Sequence, residues 1–277
     1  MTKVIALFIL SLNLYAGIIN SDDRHEIIDA PLEVQDIGKS IAALIPKDRV
    51  EDLENGFFEI SGLDYVKDYN FCEDEKFVTT QKLIANCSAS LVGEDKIATA
   101  AHCIDKKGTY TIDNYYIVFD YTSESGTTLS RDSVYEIDSM PQHDFDFPGD
   151  IDVAILKLKR PVKNRVPLKV SKKRVEVGSE IYMLGFPLGL PMKYHDNGFV
   201  TNSTTQFEDK SSFTHDLDTF SVNSGSSIFS ARTNEIVGIL VRGYGDNYEL
   251  DKEEKCNRWG KGDHHAGEAN YSELLEI

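Results

Sequence analysis

Three side chains of different chemistry stand in settings that would let them act together. His102 lies in Thr99-Ala100-Ala101-His102-Cys103, Asp152 opens the apolar run Asp152-Val153-Ala154-Ile155-Leu156, and Ser224 lies in Asn223-Ser224-Gly225-Ser226. A serine hydroxyl is a weak nucleophile at neutral pH. It needs a base within hydrogen-bond reach, and the base needs an orienting group. An imidazole can take the proton, and a carboxylate on its far nitrogen fixes the tautomer and stabilises the imidazolium. Asp152 suits that part because an acid at the head of a buried run must have a partner. Asp150 competes but lacks the offset from the apolar run. Small residues flank Ser224 and permit a tight turn that exposes its hydroxyl. His25, His143, His195, His215, His264 and His265 lack a comparable setting and read as surface residues.

The chain order His, Asp, Ser is that of chymotrypsin-like proteases and differs from subtilisins and α/β-hydrolases. With their neighbours, the three segments resemble the trypsin/chymotrypsin superfamily of serine endopeptidases. Among these they are most similar to secreted bacterial members, including the glutamyl endopeptidases, which share Asn-Ser-Gly-Ser around the nucleophile. The resemblance runs from Ser40 to the C-terminus. It implies two six-stranded antiparallel β-barrels with the active site in the cleft between them. It also implies peptide-bond hydrolysis through an acyl-enzyme, with His102, Asp152 and Ser224 catalytic and the N–H groups of Val222 and Ser224 as the oxyanion hole. Protein or peptide substrates are expected, with no cofactor and no metal. The family carries a disulfide between positions matching Cys87 and Cys103, which leaves Cys72 for Cys256.

Several positions depart from the family pattern. Val222 stands where Gly is usual, because the peptide there must turn its N–H inward in a conformation that a β-branched residue resists. The hole would then form with strain, form only on substrate binding, or be misformed. The last case would make the chain a weak or inactive protease-fold protein that grips peptides. Asn223 replaces the aspartate that pairs with a new N-terminal amine in trypsin-like zymogens, so that switch cannot work in its usual form. Ser227 replaces a usual proline. Asp218, six residues before Ser224, is either the base of a primary pocket for Arg or Lys or a rim acid facing solvent. Leu240 stands where glutamyl endopeptidases use a histidine. Arg242 would cancel Asp218 or favour acidic substrates, and Val241–Gly243 offers an edge for substrate strand addition.

The elements that must position these groups read as β-structure. Short runs rich in β-branched and aromatic residues recur between Gly, Asn, Asp and Ser clusters, without long helical periodicity. Strands are expected over 87–92, 96–99, 115–119, 134–137, 153–156, 180–184, 198–201, 227–229 and 236–241. This is an all-β pattern. Barrel one should span about 40–159 and barrel two about 160–277, with Arg160 to Arg174 as the crossover. The segment from Leu184 to Pro191 reads as a strand entering a rigid turn that resembles the Gly-Tyr/Phe-Pro turn of bacterial relatives, a scaffold with the pocket within its reach. Asp144 and Asp146 read as a solvated acidic loop. The stretch from Asp246 to Ala269 reads as a polar surface tail pinned by Cys256.

Lys3 and the short apolar run Val4 to Leu12 read as a secretory signal ending at Ala16. Residues 17–39 are then a propeptide or an N-terminal arm, and residues 40–277 the peptidase domain. An even count of four cysteines in an exported chain favours disulfides. A net charge of −17 argues against nucleic acid or an anionic membrane as partner. The mature form is expected as a soluble monomer, secreted or periplasmic.

Overall fold

The computed structural model describes residues 18–19, 21–108, 110–146, 151–203, 210–243, 247–261 and 267–277. The expected signal segment 1–16, Asp150, His264 and His265 lie outside them.

Two closed six-stranded antiparallel barrels form the molecule. In the first, Val134–Phe145, Asp152–Leu158, Lys96–Thr99, Cys87–Leu91, Ile41–Pro46 and Tyr115–Phe119 pair in that order, and the last closes on the first. In the second the order is Lys193–Asn202, Glu180–Gly185, Ser227–Ser230, Ile236–Gly243, Gly267–Tyr271 and Ser212–His215, again closed. A short N-terminal strand, Arg24–Glu26, pairs with the first residues of Lys193–Asn202, ahead of the part that closes the barrel on Ser212–His215.

Strand periodicity fills the barrels. Alternate residues such as Ala42 and Leu44, Ala89 and Leu91, and Ile117 and Phe119 line the first interior. Ile181, Met183, Phe213, Ile228 and Leu240 fill the second. The opposite faces are apolar too: Ile41, Ala43, Val153 and Ile155 of one barrel join Tyr182, Leu184, Phe229 and Ile239 of the other in a shared core. That shared core fixes how the barrels face each other, and thereby the cleft.

A fourth cluster lies outside both barrels. Tyr65, Phe71, Val78, Leu188, Leu190, Phe220 and Trp259 pack together, with Phe71 and Trp259 ring centroids 4.4 Å apart. It joins the excursion between the first two barrel strands to the hairpin of Tyr248–Asp251 and Cys256–Trp259. The Cys72–Cys256 disulfide clamps these two segments, and Cys87–Cys103 closes the histidine segment onto its neighbouring strand.

Several sequence expectations change. His195 and His215 are fully buried instead of exposed. Loss of water pushes both rings down to about pKa 3, so burial favours their neutral form. The expected polar tail contains a hairpin and the barrel strand Gly267–Tyr271. Its strand signal is diluted by Glu268 and Asn270, polar residues that are buried because each has partners. Asp144 belongs to the strand Val134–Phe145 instead of a loop. Ile41–Pro46 and Ser212–His215 are strands with no strand expectation from sequence.

Candidate active site

His102 is presented by a single turn, Ala101–Cys103, at the end of Lys96–Thr99. The neighbouring strand pairs Ala154 with Thr99, so Asp152, two residues earlier, falls opposite that turn. The carboxylate is almost fully buried and meets His102 twice. The His102 main-chain N–H donates to Oδ1 at 2.9 Å, and ring Nδ1 lies 2.6 Å from Oδ2. A proton on Nδ1 leaves Nε2 as the acceptor. The Asp152 main-chain N–H donates to Asn270 Oδ1 at 2.7 Å, a contact from the opposite barrel. Asn270 in turn donates to Ser212 Oγ at 2.7 Å.

Ser224 sits between the barrels. Its carbonyl accepts the Ser88 N–H of barrel one at 2.8 Å, while Gly225 N–H donates to Leu240 O of barrel two at 2.8 Å. Gly225 has φ +84°, and a Cβ there would come within 2.0 Å of Ser88 O, so the residue after the serine has to be glycine. The Asn223 side chain is buried and hydrogen-bonds the Ser226 hydroxyl at 2.7 Å. His102, Val222, Ser224, Leu240, Arg242 and Gly243 line one cavity of about 390 Å³.

Val222 adopts φ +70°. It is the third residue of a turn closed by Asn223 N–H on Phe220 O at 3.3 Å, and a positive φ there but not at Ser221 is the type II pattern. Ser221 O accepts the Leu188 N–H at 2.9 Å. A trans peptide sets its C=O and N–H on opposite sides, so with the carbonyl turned to Leu188 the Val222 N–H points the other way. Asn247 Oδ1 accepts the Ser221 N–H at 2.7 Å, and its amide donates to Ser221 Oγ at 2.8 Å. A valine here costs about 1–2 kcal/mol relative to an ordinary conformation.

Asp218 is buried and outside the cavity lining. Oδ1 accepts the Ile19 N–H at 2.7 Å, and Oδ2 the Asp23 N–H at 3.1 Å. Burial raises its pKa to about 7 despite the two amides and Arg24. Arg242 lines the cavity and pairs with fully buried Glu268 at 3.2 Å. Cys87, His102 and Cys103 lie close enough to ligate an ion. Both sulfurs are spent in the disulfide, so that set offers no thiolate.

Leu188, Asn247 and Asn270 carry geometry that residue type alone did not expose. Leu188 lies in the turn expected to serve as scaffold. Asn247 and Asn270 have no signal in sequence, because their partners are distant in the chain.

A family model for the trypsin-like peptidase domain matches residues 87–239, more than half of the chain. No curated protein sequence matches. Among solved structures, a Glu endopeptidase in complex with MPD aligns with TM-score 0.54 at 16% identity, covering 92% of this chain and 93% of that one. Neuropsin, a serine protease of mouse brain, aligns with TM-score 0.56 at 13% identity over 92% and 95%. The VesB protease of Vibrio cholerae aligns with TM-score 0.52 at 13% identity over 85% and 61%. At such identities the structural likeness shows the fold, while the family match covers the histidine, aspartate and serine segments together. The chain therefore belongs to the trypsin-like peptidase family, serine endopeptidases of chymotrypsin-like fold.

Proposed function

We propose that the protein hydrolyses peptide bonds with Ser224 as nucleophile, His102 as general base and acid, and Asp152 as the group that orients His102. Ser224 Oγ attacks the substrate carbonyl carbon and its proton passes to His102 Nε2. The negative charge on the carbonyl oxygen is received by the N–H groups of Val222 and Ser224. His102 then protonates the leaving amine, and water releases the acyl group by the same route. One observation carries this reading: the 2.6 Å His102–Asp152 contact opens onto the cavity that also holds Ser224 and a Val222 amide turned away from Leu188.

Substrate preference follows from what is free to meet a side chain. Both oxygens of Asp218 are taken by main-chain amides, so this carboxylate does not support a preference for Arg or Lys. Leu240 contributes an apolar wall. Gly243, at the end of Ile236–Gly243, leaves room for an extended substrate to pair with that strand. Residues 40–277 form the peptidase domain in this reading, with the described residues 18–19 and 21–39 folded against it as an arm. Two disulfides among four cysteines fit an exported, oxidised protein. No helix among the described residues is long and apolar enough to cross a membrane.

The test is labelling of the oxidised protein by a fluorophosphonate, with Ser224→Ala beside it. Labelling of the parent that vanishes in the variant is the expected result. Equal labelling of both, or none of folded parent, overturns the assignment.

A further inference from the structure

The segment carrying Val222 is held by the N-terminal arm. Arg24 is fully buried, with Nε and Nη2 donating to Asp22 Oδ1 and Oδ2 at 2.8 and 2.7 Å. Burial works to raise the Asp22 carboxyl, but the Arg24 hydrogen bonds and charge outweigh it and leave it below the usual range. The Arg24 guanidinium carbon lies 4.4 Å from the Phe220 ring centroid and 4.5 Å from that of Trp259, with Phe77 at 5.4 Å. Two residues before Phe220, Asp218 holds the Ile19 and Asp23 amides. The strand Arg24–Glu26 is fixed in turn by its pairing with Lys193–Asn202 and by Glu26 on buried Lys193 at 3.0 Å.

A buried guanidinium is a costly way to stabilise a barrel, since apolar replacements of buried ion pairs are often neutral or better. Its position here is more specific. Phe220 gives its ring to Arg24 and its carbonyl to the turn that ends at Asn223. Leu188, which holds the Ser221 carbonyl, packs in the same cluster as Phe220 and Trp259. The arm thus grips the residues on which the orientation of the Val222 peptide depends: Phe220, Ser221 and Val222 line the cavity, while Arg24 and Asp218 stand outside its lining.

We propose that the arm is a working part of the active site, with Arg24 and Asp218 as positioning residues that hold the turn Phe220–Asn223 in the form presenting the Val222 N–H. This rests on the reading that this amide receives the oxyanion. The arm is held by main-chain amides and a side-chain cation. A newly cut α-amine is therefore not needed to hold the turn, consistent with asparagine at position 223.

The experiment compares the full oxidised chain with Arg24→Met, which keeps length and loses charge, and Arg24→Lys, which keeps charge without the flat stack. Peptide-cleavage kinetics and hydrogen exchange of residues 217–226 are read, with the strand Tyr115–Phe119 as internal control. Misplacing one oxyanion donor by a fraction of its bond length should lower kcat by about tenfold or more, with KM within about threefold. Exchange of residues 217–226 should rise about tenfold in Arg24→Met and less in Arg24→Lys, with the control strand unchanged. Unchanged kcat and unchanged exchange in both variants overturn the proposal. So does a loss confined to KM, or exchange that rises equally in the control strand. A parent without Ser224-dependent labelling refutes the catalytic assignment instead, and exchange alone then decides whether the arm holds the turn. If Arg24→Met does not fold, Arg24→Lys carries the same comparison.

Discussion

Replacing Val222 with glycine separates a strained but formed oxyanion hole from a misformed one. The left-handed backbone at φ +70° costs a valine about 1–2 kcal/mol. If that strain were free to relax, the Ser221–Val222 peptide would flip and carry the N–H away from the cavity. The flip breaks the 2.9 Å Leu188 N–H bond to Ser221 O. Leu188 is buried, so its amide would be stranded at a cost of about 1–3 kcal/mol. The two effects are similar in size and opposite in sign, which keeps the presented form substantially populated. Val222→Gly should therefore raise kcat/KM by less than about tenfold, since tenfold already needs about 1.4 kcal/mol. Stability should stay within about 1 kcal/mol, as relief of strain is offset by glycine's greater entropy when unfolded. Initial rates on a fluorogenic peptide mixture, corrected by active-site titration, give the first quantity; urea unfolding gives the second. A gain well beyond tenfold would mean that Leu188 does not hold the peptide and would refute this reasoning.

Asn270→Ala removes the acceptor of the buried Asp152 N–H. It should cost about 1–3 kcal/mol in urea unfolding and lower kcat more than it raises KM; unchanged kinetics would show that this amide does not help place Asp152. Burial pushes the Asp218 pKa up to about 7 in the folded state, against about 3.8 for a free aspartate, so between those values the folded state binds more protons than the unfolded and stability falls as pH rises. The penalty is complete above pH 7 and is on the order of 4 kcal/mol at 1.36 kcal/mol per unit. Asp218→Asn should flatten the difference in unfolding free energy between pH 4.5 and 8 relative to the parent; parallel profiles would show that Asp218 titrates normally. Opening the Cys87–Cys103 bridge by a double alanine variant frees a loop of sequence separation 16 and should cost about 3 kcal/mol. A melting temperature equal to the parent's would contradict that.

Sequence by itself determined the parts of this protein that depend on residue type and close neighbours. An aspartate heading Val-Ala-Ile-Leu, a histidine closing Thr-Ala-Ala, and a serine between Asn and Gly are local patterns, and alternating apolar runs are the local signature of strands. Valine at 222 was also legible as a conflict, because backbone preference belongs to the residue itself. Tertiary structure decided how the conflict is met: the Ser221 carbonyl finds Leu188, 33 positions away by the numbering, and nothing about a leucine advertises its main-chain N–H. It likewise decided the place of Asp218, since an acid in sequence carries no mark of whether a substrate cation or the chain's own amides will reach it. Buried His195, His215, Glu268 and Asn270 were misjudged or unseen for one reason. Polar type predicts exposure only when the group lacks a partner and must stay ionised, and both conditions are set by segments that meet only when the barrels close.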